Sequence, residues 1–230
     1  MLSDMISYLS SSFLTPILLV KFSVLWLCMD VVNVAFAAGS DHDESAAALR
    51  LGLLFGGIGI GSFIGPLVAE QFTSMEKPET LQRACVVSIG VSAFTALAMG
   101  APALPFWLIC VLSAIRASGI SAAWINSSLI IQKFCAPDML GRVSSVEFGL
   151  ALIAECSSAF IAGVLQDDYG WSPQQVCTGI GFLGLLFLAG WSLFHVLGKG
   201  AASQAARLLP NEKEKESLAK SDCDVESTKS

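Results

Sequence analysis

The sequence predicts an all-α membrane protein with six transmembrane helices, and three observations carry the prediction. Hydrophobic residues make up 54% of the chain and charged residues 14%, against about 25% charged in an ordinary soluble domain, and the mean hydropathy is +0.67. The apolar residues gather into six runs, most long enough to cross a hydrocarbon core of about 30 Å at about 1.5 Å per residue. Short segments rich in Gly, Pro, Ser and charge separate them. The expected organisation is a short cytoplasmic segment over 1–13, a six-helix transmembrane domain over 14–199, and a disordered cytoplasmic tail over 200–230, where charge is dense.

The first run, Leu14–Ala38, holds Lys21 near its start, where the long stem lets the ammonium snorkel to the interface. Asp30 and Asn33 lie deeper, and the acidic loop GSDHDES ends the helix. In the second run, Leu49–Phe72, Gly57, Gly61 and Gly65 form two overlapping GxxxG patterns. Such a stripe lets another helix approach closely. With no preceding strand and no Gly-Lys-Ser/Thr, these glycines are not a phosphate cradle. The polar TSMEKPETLQR leads to the third run, Ala84–Met99, and GAPALP links that to the fourth.

The fourth run begins at Pro105 and organises the rest. Arg116 lies roughly 16 Å along it, with Gly119, Ala123, Asn126 and Ser127 on much the same face at about 100° per residue. An arginine at mid-depth costs at least about 3 kcal/mol unless paired or wetted, so this stripe should face other helices or water. After Lys133, CAPDMLGRVSS reads as a turn-rich connector in which Asp138 can cap the residues after it and Arg142 faces water. The fifth run, Phe148–Leu165, holds Glu155 among the small residues Ala151, Ser158, Ala159 and Ala162. QDDYGWSPQQ comes next, with Tyr169 and Trp171 suited to the interface belt. The sixth run, Val176–Leu197, ends with His195 at a water boundary.

Basic residues set an orientation. Lys21, Lys77, Arg83, Lys133, Arg142 and those from Lys199 onward fall on one side, whereas the opposite loops hold Arg50 against Asp41, Asp43, Glu44, Asp167 and Asp168. The positive-inside rule then makes both termini cytoplasmic. No removable signal peptide is read at the N-terminus, and the first helix would do the targeting. The seven cysteines lack metal-binding or CxxC spacing and read as packing residues and free thiols.

Asp30, Arg116 and Glu155 each sit roughly 12 to 18 Å along their helices, so similar depths allow contact. Two readings stay open: a structural ion cluster, or a site whose unmatched carboxylate takes a proton, a cation or the cationic part of a substrate. Asn33, Asn126 and Gln132 would add neutral hydrogen-bonding groups to that cavity. No catalytic constellation competes: Ser127, Ser128 and His195 have no activating motif around them, and Gly61-Ser62 is no nucleophile elbow. Neither a metal nor a cofactor is expected, and the absence of a basic patch disfavours nucleic acid. The expected partners are the lipid bilayer and a small-molecule substrate.

The runs LGLLFGGIGIGSFIGPLVAE and INSSLIIQKFCAPDMLGRVSSVEFGL resemble the eighth helix and the tenth-to-eleventh helix junction of major facilitator superfamily transporters, especially the enterobactin and drug exporter branch. The resemblance spans about Leu14–Leu197 and is most specific at Gln132, Pro137, Asp138, Gly141, Arg142, Val143 and Ser145. It implies the C-terminal six-helix half of a twelve-helix fold, in which two halves rock about a midplane cavity to move a small solute by alternating access. It also implies export, with proton coupling through Glu155 or Asp30. The family's Gly-x-x-x-Asp-Arg loop signature would start at Gly65, but Ala69 and Glu70 stand where its charges belong. A single half cannot enclose a cavity, so the chain is expected to be a fragment, its opening MLSDMISYLS resembling a linker before a seventh helix, with a half that pairs with itself or with another chain, or a degenerate protein that no longer transports, as the alternatives. The competing expectation is a non-transporting multi-pass protein whose helices assemble with partner chains.

Overall fold

The computed structural model describes residues 14–27, 30–39, 44–74 and 77–197. Among these it is all-helical: α1 (Leu14–Trp26), α2 (Asp30–Ala38), α3 (Glu44–Glu70), α4 (Pro78–Met99), α5 (Phe106–Phe134), α6 (Leu140–Asp167) and α7 (Pro173–Leu197). Six segments are long and apolar enough to cross a membrane, with α1 and α2 together forming the first. The expected 1–13 segment and the tail beyond residue 197 lie outside the described residues.

Local chemistry sets the helix ends. Pro78 and Pro173 occupy first-turn positions, where a missing N–H costs nothing. At the start of α7 the Ser172 N–H donates to Gln175 Oε1 (2.8 Å) and the Gln175 N–H donates to Ser172 Oγ (3.3 Å), a reciprocal capping box inside what the sequence suggests is plain loop. Gly170 adopts φ +65°, the left-handed turn that lets the chain leave α6. Two expectations change here. The fifth span starts at Leu140, so Gly141, Arg142 and Ser145 belong to its first turns rather than to a connector. Asp138 is exposed and does not cap it, because Met139 is the N-cap residue and no side chain bonds the helix end.

α5 is the axis of the bundle. Gly57, Gly61 and Gly65 of α3 lie against Cys110, Ala114 and Ser118 of α5, residue numbers rising together, so the two helices run parallel. A Cβ at Gly61 or Gly65 would fall inside the backbone of Ala114 or Ser118. In lipid, where no hydrophobic drive pulls helices together, such close approach is what holds them. On another side α4 runs antiparallel to α5: Cys85 Sγ reaches the Ala123 carbonyl (3.7 Å), Ser92 Oγ donates to the Arg116 carbonyl (3.3 Å), and Ser113 Oγ contacts Met99 Sδ (3.8 Å). α7 packs on α4 through Gly181 against Leu97 and Gly184 against Ala93. α1 lies on α5 and α6, its Ser23 Oγ 3.4 Å from Trp191 Nε1 of α7. Apolar clusters fill both ends and the middle, around Phe36 and Met99, around Leu18 and Ile131, and around Leu27 and Ile89.

Candidate functional site

The first span is helical to Trp26 and again from Asp30, and residues 28 and 29 lie outside the described residues. Leu27 sits in a turn with its N–H bonded to the Val24 carbonyl (3.1 Å). Two other spans take the carbonyls at this point: Arg116 Nη1 of α5 donates to the Leu27 carbonyl (3.0 Å), and Ser158 Oγ of α6 donates to the Trp26 carbonyl (3.2 Å). Arg116 is buried at 2% exposure, so its guanidinium turns inward, where it satisfies irregular backbone at membrane depth. One turn into α2, Asn33 is fully buried, and neither of its amide atoms has a hydrogen-bond partner among the described residues. Such a group is costly unless water or a ligand reaches it.

The other charged centre is one the sequence reading does not anticipate. Lys21 does not snorkel: its side chain is 1% exposed and forms an ion pair with Glu147 of α6. Its ammonium also donates to Ser128 Oγ (2.5 Å) and stands 3.8 Å from the centroid of the Trp124 ring. Phe148 packs against Trp124, ring centroids 6.1 Å apart. The geometry comes from depth. Lys21 is seven residues into α1, Glu147 seven into α6, and Ser128 six from the end of α5, each about 10 Å from the same end of the bundle. Trp124 and Ser128, four apart, share one face of α5. Equal depth and that spacing are readable in sequence once α6 is started at Leu140.

Of the expected grouping of Asp30, Arg116 and Glu155, the described residues bring no two side chains together. Glu155 lies on the exposed flank of α6, and among the described residues no ion pair joins it to Arg116. Asp30 opens α2, but its side chain lies outside the described residues, as does that of His195. Asn126 is buried and spends one amide N–H on the Ala122 carbonyl one turn back (2.8 Å). Gln132 and Arg142 are exposed, the latter near Met139 Sδ (3.8 Å). Among the described residues, no three His, Cys, Asp or Glu side chains gather where a metal could bind. The arrangement can therefore satisfy two turn carbonyls inside the first span, neutralise one buried charge pair near one end, and present a carboxylate at the exposed flank. Comparisons with protein-family models, with curated proteins and with solved structures found no match to the chain.

Proposed function

We propose that this chain is one six-helix half of a transporter of the major facilitator type, moving a small solute across the membrane by alternating access, in the direction of export and with both termini cytoplasmic. The observation that carries the reading is the turn at Leu27 within the first span, where the Trp26 and Leu27 carbonyls are held by Ser158 and Arg116 near Asn33, whose amide has no hydrogen-bond partner among the described residues. In hydrocarbon, irregular backbone is tolerated only inside protein or along a cavity. Transporters place their solute and coupling-ion sites at such discontinuous helices near the midplane. Asn33, Asn126 and Arg116 would face the solute, and Glu155 or Asp30 would carry a coupling proton. A second six-helix half, or a second copy, would cover the exposed apolar flanks of α3 and α6, which include Leu53, Phe63, Leu152 and Phe160.

The competing reading, a non-transporting bundle that assembles with partner chains, draws on the Lys21–Glu147 pair, which neutralises itself and leaves no charge to spare. Flux separates the two. Purified chain in phosphatidylethanolamine–phosphatidylglycerol vesicles should move ethidium or enterobactin, and Arg116→Ala and Glu155→Gln should abolish that movement while still folding. Folded wild-type chain that moves neither probe even at protein densities where two copies pair would overturn transport by this chain as a self-pairing half, and unchanged flux in both variants would remove Arg116 and Glu155 from the pathway.

A further inference from the structure

Between α3 and α4, with α5 behind them, lies a crevice of about 510 Å³, inside the roughly 300–1,000 Å³ range of ligand pockets. Ile64, Val68 and Phe72 form one wall, Val87 and Val91 the other, and Gly119 the back. Ile64, Val68, Phe72 and Val87 are all exposed, so the crevice opens sideways, toward the hydrocarbon that surrounds a spanning helix. Among the described residues one ionisable side chain lines it: Arg83, beside Thr80. It lies five residues into α4, about 8 Å from the end of the bundle that carries Lys77. Arg83 is exposed, and no acidic side chain pairs with it among the described residues; Glu79, one turn earlier, is not a lining residue.

An apolar trough open to the bilayer and ending at an unpaired guanidinium has the shape and charge of a phospholipid. We propose that this crevice binds an acyl chain of an anionic phospholipid, with Arg83 holding the headgroup phosphate. Basic pockets between transmembrane helices recognise anionic headgroups in this way. The sideways opening selects a lipid over a solute entering from water. None of Lys21, Asn33, Arg116, Glu147 or Glu155 lines the crevice, so the inference does not rest on the transport reading.

The test is native mass spectrometry of the purified full chain in detergent, titrated with dioleoylphosphatidylglycerol or dioleoylphosphatidylcholine. The wild type should bind the anionic lipid about fivefold more tightly, the effect of one basic residue near a charged headgroup. Arg83→Gln should bring the two lipids level. Val87→Trp, which fills the crevice from an exposed position, should weaken both, and Val91→Phe should do the same if the tryptophan variant unfolds. Arg142→Gln removes an exposed charge elsewhere and should change nothing, and inorganic phosphate should not compete. Equal binding of the anionic lipid by wild type and Arg83→Gln would overturn the proposal. So would an Arg142→Gln effect as large as that of Arg83→Gln, lipid binding untouched by filling the crevice, or displacement by phosphate alone.

Discussion

Removing either partner of the Lys21–Glu147 pair should do far more harm than removing both. The two side chains are 1% and 7% exposed, so Lys21→Met strands a carboxylate and Glu147→Leu strands an ammonium away from water. Breaking a buried pair in this way costs about 3–5 kcal/mol. At about 2–4 °C per kcal/mol for a chain of this size, each single variant should lose on the order of 10 °C in melting temperature. The double variant Lys21→Met/Glu147→Leu leaves no charge beside Trp124, and the Ser128 hydroxyl keeps its bond to the Trp124 carbonyl (3.0 Å). Such replacements range from neutral to about 1–4 kcal/mol stabilising, so the double variant should melt well above either single one. Thermal unfolding of detergent-purified protein, followed by fluorescence-detected size exclusion, reads all four corners of the cycle. Losses that simply add in the double variant, or single variants within about 0.5 kcal/mol of the parent as at an ordinary surface site, would refute the reasoning.

The same packing sets three further outcomes. Gly61→Ala and Gly65→Ala should each cost about 1–3 kcal/mol or more, because the new methyl meets α5 backbone rather than a movable side chain, while Gly56→Ala and Gly59→Ala, with nothing within 4 Å, should be neutral or mildly stabilising in the same assay. Arg116→Met should destabilise by about 1.5–3 kcal/mol, through loss of its charged bond to the Leu27 carbonyl. Ser158→Ala, which removes a neutral bond to the Trp26 carbonyl, should cost about 0.6 kcal/mol; reversal of that order would argue against a charged clamp on the Leu27 turn. Glu155→Gln should leave the melting temperature within about 0.5 kcal/mol of the parent, because its carboxylate is exposed and joins no ion pair among the described residues.

Hydropathy makes the spans legible, and the residue types in α3 and α5 make the tight seam between them legible, because GxxxG spacing has one common physical use in lipid. The inward turn of Arg116 is legible for the same kind of reason, since hydrocarbon leaves an arginine few choices. The polar first turns of α6 are not. Gly141, Arg142, Ser144 and Ser145 look like connector, and starting the span at Phe148 hides Glu147, the partner of Lys21. A helix end that still lies within protein needs no apolar composition, so hydropathy misses it. The turn at Leu27 has no proline or glycine to announce it; Arg116 and Ser158, which bond the carbonyls there, are about 90 and 130 residues away in sequence. Glu155 misleads because small residues on its helix suggest a buried face, whereas the buried stripe runs through Glu147, Ala151, Ala154 and Ser158, beside it.

The proposed transport requires that water reach the interior around the Leu27 turn and the Glu155 flank. Single thiols at positions 33, 153 and 155, in a cysteine-free background and in sealed vesicles, can be challenged with a membrane-impermeant cationic thiol reagent. A water-lined pathway predicts labelling at 33 and 155, with protection at 153, whose isoleucine lies on the apolar flank of α6 that it shares with Phe160. Positions 33 and 155 as unreactive as 153 would mean that these residues meet only helices and acyl chains, and the pathway would not exist.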